Sequence, residues 1–423
     1  MRRNLTEGGV FKNVLLFSLP YLLSYFLQTL YGMADLFIVG QFEGVASTTA
    51  VSIGSQVMHM LTVMIVGLAM GSTVSIGQAV GGGREKRAAR SIGNTATLFM
   101  SLSVLLLAGL LLLVRPIVRV MYTPEAAVSG AEAYLTICFI GIPFITAYNI
   151  ISSIFRGLGD SKSPMYFIAV ACAVNIALDY LFMGALHLGS AGAALGTTLS
   201  QAVSVAVSLI VIRKRNIGVP VALQDGLIQV AFIVITIIAN QRGLTDAAAV
   251  GIVEKVISFL FLVPSSMLST VSALGAQNIG AGKPERTVRT LGYACLLAAG
   301  FGLTVAAALQ FVAEGIVGLF TTDSGAIAAG GQYLRGYIWD CLFAGLHFSF
   351  SGYFCACGKS GLSFLHNIIA IALVRVPGVY LTSRLVPETL LPMGLATAAG
   401  SLLSVVICVV AFAALRRREA AHG

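Results

Sequence analysis

The sequence predicts an all-α polytopic membrane protein, with twelve transmembrane helices arranged as two six-helix lobes. Three observations predict this fold class: an apolar composition, a series of long apolar segments and an internal repeat. Of the 423 residues, 57% are hydrophobic and 10% are charged, whereas soluble domains are about 25% charged. All seven cysteines lie in apolar stretches, where a thiol behaves as a small hydrophobe. The composition therefore excludes a cytosolic enzyme, a disordered chain and a secreted disulfide scaffold.

Twelve apolar segments are long enough to cross a bilayer as helices, which need about 20 residues. A helix suits this solvent because it satisfies its own backbone hydrogen bonds in hydrocarbon. We expect the first segment to be retained in the protein, since it is too long for the core of a signal peptide. The predicted spans are 12–40, 47–80, 92–114, 130–156, 163–186, 191–212, 216–241, 246–281, 290–312, 328–357, 362–384 and 389–415.

The distribution of Lys and Arg predicts that both termini are cytoplasmic. Nineteen of these residues fall on the same side of the membrane as the N-terminus. On the opposite side there are only Arg115, Arg119, Arg242 and Arg384. Positive charge concentrates in the cytoplasmic loops of membrane proteins. The net charge of +9 is thereby explained as a topology signal, and no nucleic-acid partner is expected.

An internal repeat relates the two halves of the chain at an offset of 199 residues. The matches include loop residues that hydrophobicity alone would not place. Because six spans is an even number, the halves insert the same way up and form parallel repeats. Matched pairs include Gln78 and Gln277, Gly83 and Gly282, Tyr134 and Tyr333, Phe155 and Phe354, and Gly159 and Gly358, while Pro20 and Pro220 are 200 residues apart.

The repeat predicts an N-lobe over residues 1–212 and a C-lobe over residues 217–423. A short basic cytoplasmic link, 213–216, joins them. Two six-helix bundles that rock against each other are typical of a transporter. The alternative is a duplicated scaffold with no transport role.

Four stretches carry a resemblance to the MATE (multidrug and toxic compound extrusion) transporters of the MOP flippase superfamily. They are the 20–40 stretch with Asp35, the sequence GSTVSIGQAVGGG at 71–83, the sequence FRGLGDSKSP at 155–164, and 251–282 with its ending GAQNIGAG. The resemblance covers nearly the whole chain. One departure is the link between spans six and seven, which is longer in the relatives and is here almost confined to 213–216.

Asp35, Asn175, Asp179 and Thr197 form the most informative group of polar residues within the spans. Asn175 and Asp179 are four apart and share a helix face. At 1.5 Å per residue, Asp179 lies about 22 Å from the inner end of its span and Thr197 about 10 Å from the outer end of the next, which places them at similar depths. Asp35 also lies in the outer half. Such oxygen ligands can bind Na⁺, or two carboxylates can share a proton.

In MATE relatives these four positions resemble the cation site of the first lobe. The alternative is a hydrogen-bonded cluster that only tightens helix packing. At the repeat offset, Asn175 corresponds to Val374 and Asp179 to Gly378. The first lobe is therefore the better candidate for ion coupling.

A second polar site is possible in the other lobe, at Glu254, Lys255 and Asp340. Glu254 and Lys255 have no charged counterparts in the first half, and they form either a substrate or coupling site or a self-neutralising pair. Asp340 could attract a cationic substrate, or pair with Arg335 or Arg375. We favour pairing.

The resulting functional hypothesis is a secondary active multidrug efflux antiporter, and not an enzyme. It exports organic cations or drug-like amphipathic molecules in exchange for Na⁺ or H⁺. No cofactor is expected, because residues 281–284 lack the pattern of a phosphate loop and the five histidines are scattered. The expected setting is the lipid bilayer of the plasma (inner) membrane, as a monomer. The alternatives are a lipid-linked oligosaccharide flippase, a membrane scaffold or receptor, or an inactive paralogue with a shortened link.

Overall fold

The computed structural model describes residues 5–213 and 244–422, and every regular element in these ranges is a helix. The first half contains α1 (Val10–Phe42), α2 (Val45–Gly81), α3 (Glu85–Val120), α4 (Glu125–Ile140), α5 (Ile142–Gly157), α6 (Lys162–Asp179), the π-helix π1 (Tyr180–Ala185) and α7 (Gly189–Arg213). The second half contains α8 (Leu244–Leu260), α9 (Leu262–Gly280), α10 (Pro284–Gly318), α11 (Ser324–Tyr337), α12 (Trp339–Ala356), α13 (Ser360–Ala370), the π-helix π2 (Ile371–Arg375), α14 (Val376–Leu385) and α15 (Leu391–His422).

The predicted membrane fold is confirmed in class, while the count of twelve spans stays a prediction. Within the described ranges, nine helical segments are long and apolar enough to cross a membrane, and a tenth is obtained if α4 and α5 form one span bent by 49°. The predicted span 216–241 lies outside the described residues, as does the link apart from Arg213. The predicted span 328–357 is divided between α11 and α12.

The left-handed loop glycines explain why glycine recurs at fixed places in the repeat. Gly83 (φ +67°) ends the α2–α3 turn, and its counterpart Gly282 (φ +71°) ends the α9–α10 turn. Gly159 (φ +86°) and Gly358 (φ +70°) occupy the turns before α6 and α13. Only glycine adopts this backbone conformation without a steric penalty. Both halves therefore keep glycine where the chain reverses between spans.

The first compact unit comprises residues 19–213 of the described chain. Its α2 packs against α4 and α5, and α6 packs against α7. The core includes Val51, Tyr134 and Phe139 on one side and Ile76 and Phe155 on the other, all buried. Its outer helix α3 carries exposed leucines, which is the surface expected of a helix that faces lipid.

The second compact unit comprises residues 244–422 together with residues 5–18. Its α12 packs against α9, α10 and α15. Residues 5–18, which belong to the N-lobe of the sequence prediction, join this unit through hydrogen bonds to the start of α10. Lys283 Nζ donates to the carbonyl of Thr6 at 3.1 Å, and Arg286 Nη2 donates to the carbonyl of Gly8 at 3.0 Å. Helix α1 thus contributes to both units, and the boundary between them lies between Ser18 and Leu19, just before Pro20.

Candidate cation site in the first unit

Three helices of the first unit bring the four predicted site residues together. Asp35 lies on α1, Asn175 and Asp179 lie on α6, and Thr197 lies on α7. Their exposed fractions are 3%, 0%, 0% and 7% in that order. Thr197 Oγ1 donates a hydrogen bond to Asp35 Oδ2 at 3.1 Å, and this bond joins α7 to α1. Residues 162 positions apart in the chain therefore share one buried polar site.

The side chains of Asn175 and Asp179 reach the same site from α6. Both face Gly196, the residue before Thr197 on α7: a methyl group at Gly196 would touch Asp179 Oδ1 and would lie 3.6 Å from Asn175 Nδ2. The carboxyl group of Asp35 is within interaction range of both α6 side chains. The absence of a side chain at Gly196 is what leaves room for the Asp179 carboxyl group.

Most of the polar atoms at this site lack a protein partner. Asp35 Oδ1, both Asp179 oxygens, and both the oxygen and nitrogen of the Asn175 amide are buried without a hydrogen bond in the part of the chain that the structure describes. A buried charge without a partner is strongly unfavourable. Two neighbouring carboxyl groups are stabilised by a bound cation or by a shared proton. The arrangement can therefore hold one or the other.

The type of ligand atom narrows the cation that would fit. Across 5–213 and 244–422, no group of three or more His, Cys, Asp or Glu is placed to hold a metal ion. The four site residues instead offer carboxylate, amide and hydroxyl oxygens, which are hard ligands. These oxygens suit an alkali cation better than a transition metal.

A π-helix begins directly after Asp179. Residues Tyr180–Ala185 form π1, and the backbone N–H of Leu186 reaches back five residues to the carbonyl of Leu181 at 3.0 Å. Such widened turns are rare and occur often at functional sites. The sequence pattern did not predict π1, because hydrophobic periodicity does not distinguish one wide turn from an ordinary one.

Two further residues extend the site and were missed by the sequence analysis. Tyr31 lies one turn before Asp35 on α1, and Gln201 lies one turn after Thr197 on α7. Tyr31 is within electrostatic range of Asp35 and within hydrogen-bonding range of Gln201, whose buried Oε1 has no hydrogen bond among the described residues. The spacing of four residues from a predicted site residue could have identified both.

The predicted second-lobe residues differ in their surroundings, and their grouping as one site stays a prediction. Asp340 is fully buried and pairs with Arg375 at 2.7 Å, whereas Arg335 pairs with Glu314 at 2.9 Å. Glu254 is half-buried on α8, within electrostatic range of Tyr333 and Tyr337. Lys255 is exposed. The structure therefore places Asp340 with Arg375, the second of the two arginine partners considered.

Comparison with known protein families identifies the chain. A family model described as MatE matches it twice, over residues 20–181 and 220–381. The chain belongs to the MatE family. The second match begins 200 residues after the first, which is the result that an internal repeat produces. MATE transporters are integral membrane proteins, and the chain is accordingly a multi-pass protein of the plasma membrane.

Relatives of this MATE protein include named transporters. It is 28% identical to a probable multidrug resistance protein, YpnP of Bacillus subtilis, over 88% of each chain. It is 24% identical to an FAD transporter of Shewanella oneidensis, over 76% of this chain and 77% of that one. A solved structure described as the outward-facing conformation of a multidrug resistance MATE family transporter matches with a TM-score of 0.87 at 22% identity. The match covers 99% of this chain and 97% of that chain, and it shows a shared fold.

A substitution at Gly196 can test the site of this MATE protein without removing either carboxyl group. In Gly196→Ala, we expect the Asp179 carboxyl group to swing away, because the end of a side chain moves more easily than a helix backbone. The apparent affinity for Na⁺ or for protons, read from how these ions stabilise the purified protein, should then fall at least about tenfold, equivalent to about 1.4 kcal/mol. Thermal melting across ion concentrations measures it.

Gly109→Ala is the matched control for this substitution. Gly109 lies on α3 of the same unit, is exposed, and has open space where the added methyl group would lie. We expect its ion response to equal that of the unmodified protein. An unchanged ion response in Gly196→Ala would contradict the assigned position of Asp179.

Proposed function

We propose that this MATE protein is a secondary active antiporter that exports organic cations and amphipathic drugs in exchange for Na⁺ or H⁺. The observation that carries the proposal is the pair of buried carboxyl groups, Asp35 and Asp179, which lie together in one unit and have three oxygens without a hydrogen bond from any described residue. Within a membrane such groups are expensive and usually functional. The resemblance to a named multidrug resistance protein supports drug export as the activity.

Antiport follows if the ion and the drug prefer different conformations. A ligand shifts a conformational equilibrium only by the difference in its affinity for the two states. A cation or proton at Asp35 and Asp179 removes the repulsion between the carboxyl groups, and so favours the conformation in which they are closest. In this proposal, ion binding from outside drives drug release, no cofactor takes part, and the protein is a transporter and not an enzyme.

The oligosaccharide flippase is the alternative that the geometry supports less. It requires basic side chains free to bind a pyrophosphate group. Among the described basic residues of the predicted spans, Arg335 pairs with Glu314, Arg375 pairs with Asp340, Arg156 lies over the ring of Tyr21, and Lys255 is exposed. The FAD transporter among the relatives, whose named cargo is anionic, makes an anionic drug a necessary arm of the substrate test.

Reconstituted liposomes with imposed gradients test the proposal. We expect accumulation of a fluorescent organic cation inside the liposomes to be driven by an outward-directed gradient of Na⁺ or of H⁺, because an antiporter moves drug and ion in opposite directions. We expect Asp35→Asn to abolish this accumulation. Imposing the Na⁺ gradient and the H⁺ gradient separately identifies the coupling ion. An anionic dye measured in parallel tests the substrate class. Transport that is equal with and without either gradient, or unchanged in Asp35→Asn, would refute ion coupling at this site.

A further inference from the structure

The second unit contains a buried ion pair where π2 meets α12 and α15. Arg375 Nη2 donates to Asp340 Oδ2 at 2.7 Å and to Ser401 Oγ at 2.8 Å. Asp340 is fully buried and Arg375 is 7% exposed. The two charges come from π2 and α12, and Ser401 comes from α15. A carboxylate, a hydroxyl group and a cation are thus gathered in the interior of this unit.

Several features of this pair repeat the site of the first unit. Arg375 lies one position beyond the counterpart of Asn175, and both buried charges adjoin a π-helix: Arg375 is the last residue of π2, and Asp179 directly precedes π1. A glycine of the following span clears space for each charged residue: Gly196 for Asp179, and Gly400, whose Cβ would lie 2.8 Å from Arg375 Cβ. The counterpart tyrosines Tyr134 and Tyr333 are each within electrostatic range of the buried aspartate of their own unit.

The two sites differ in charge. In the first unit, two aspartates face each other and most of their oxygens have no partner among the described residues. In the second unit, one aspartate faces a guanidinium group, so the formal charges cancel. Breaking a buried pair by removing one member leaves an uncompensated charge, which is strongly unfavourable. The guanidinium group supplies, from the protein itself, a positive charge that no described basic side chain supplies to Asp35 and Asp179.

We infer that Asp340 and Ser401 form a cation site in the second unit whose permanent occupant is the Arg375 guanidinium group. The transporter then has one exchangeable cation site, in the first unit, and a second that is occupied throughout the cycle. The inference rests on the proposed function only in its claim that the first-unit cation exchanges. The occupancy of the second site stands on the contacts of Arg375 alone.

Chemical rescue with guanidinium tests the assignment. The experiment uses the full chain carrying Asp35→Asn and Asp179→Asn, which disables the first site. In this background we expect Arg375→Ala to lower the melting temperature, and millimolar guanidinium chloride to raise it again in a saturable manner. Tetramethylammonium chloride at equal concentration controls for ionic strength. Because the first site is absent, failure of this test is distinguishable from failure of the proposed function.

Two controls decide the outcome. Guanidinium should have no saturable effect while Arg375 is present, and adding Asp340→Asn to Arg375→Ala should abolish the rescue. Equal responses with and without Arg375, or a rescue that does not need Asp340, would overturn the inference.

A second pair of variants applies if Arg375→Ala cannot be purified. Arg375→Met retains much of the side-chain volume, and we expect Asp340→Asn to restore its yield and melting temperature. An absence of restoration by Asp340→Asn would also overturn the inference.

Discussion

In Asp179→Asn, gradient-driven drug efflux is expected to fall to the level of liposomes without protein. The substitution keeps the size of the side chain and removes one of the two buried carboxyl groups to which we assign the coupling ion. Hydrogen bonds to charged groups contribute about 1.5–3 kcal/mol, so the affinity for the coupling ion should fall roughly 10- to 150-fold. Efflux from liposomes under an imposed Na⁺ or H⁺ gradient measures the loss, and ion-dependent melting measures the affinity.

Glu125→Gln provides the matched control for Asp179→Asn. Glu125 is an exposed carboxylate in the first turn of α4 in the same unit, and its replacement makes the same change of charge. We expect normal efflux and a normal ion response. If Asp179→Asn retained a full response to the gradient, the carboxyl group could not be part of the coupling site.

Gly394→Val is expected to destabilise the second unit by about 3 kcal/mol or more. Helices α11 and α15 cross with their backbones in contact at two glycines: a Cβ at Gly394 would lie 2.5 Å from the carbonyl oxygen of Tyr333, and a Cβ at Gly336 would lie 2.5 Å from that of Leu391. Small residues permit such close approach in membrane proteins. Added side-chain atoms would force the two backbones apart, and overpacking of this kind costs about 1–3 kcal/mol or more.

The melting temperature of the purified protein measures this loss. The seven cysteines are free, and five are buried, so a thiol-reactive dye reports their exposure on unfolding. Gly300→Val is the control, because Gly300 is exposed on α10 and has open space at its Cβ position. Similar melting temperatures for the two variants would contradict the prediction, because they would show that the α11 and α15 backbones can move apart without loss of stability.

The sequence was sufficient to predict the class of fold and the four residues that the structure brings together in one buried polar cluster. The shortage of charge and the long apolar segments depend only on composition and order, so they identified a helical membrane protein. The site residues were recognised because ionisable groups are rare within spans, and the few that occur stand out. Asn175 and Asp179 also share a helix face by their spacing, which is a local property of the chain.

The partners of the remaining charges could not be read from the sequence. Asp340 had two candidate arginines, and the choice of Arg375 over Arg335 depends on which helix faces which. The wide turns π1 and π2 and the clearance provided by Gly196 and Gly400 were also not predicted. The clearances depend on which residues meet where two helices pack, and a pattern along one helix does not specify that.

The same distinction separates the two halves of the repeat. Their loop glycines match because a left-handed turn is a local requirement that any copy of the fold must meet. Their buried charges do not match: Asp179 of the first half corresponds to Gly378, and Arg375 of the second half corresponds to Ile176. Composition and spacing thus determine a duplicated helical membrane protein with a polar site. Packing determines that one unit holds two acids, most of whose oxygens have no partner among the described residues, whereas the other unit holds an acid paired with its own arginine.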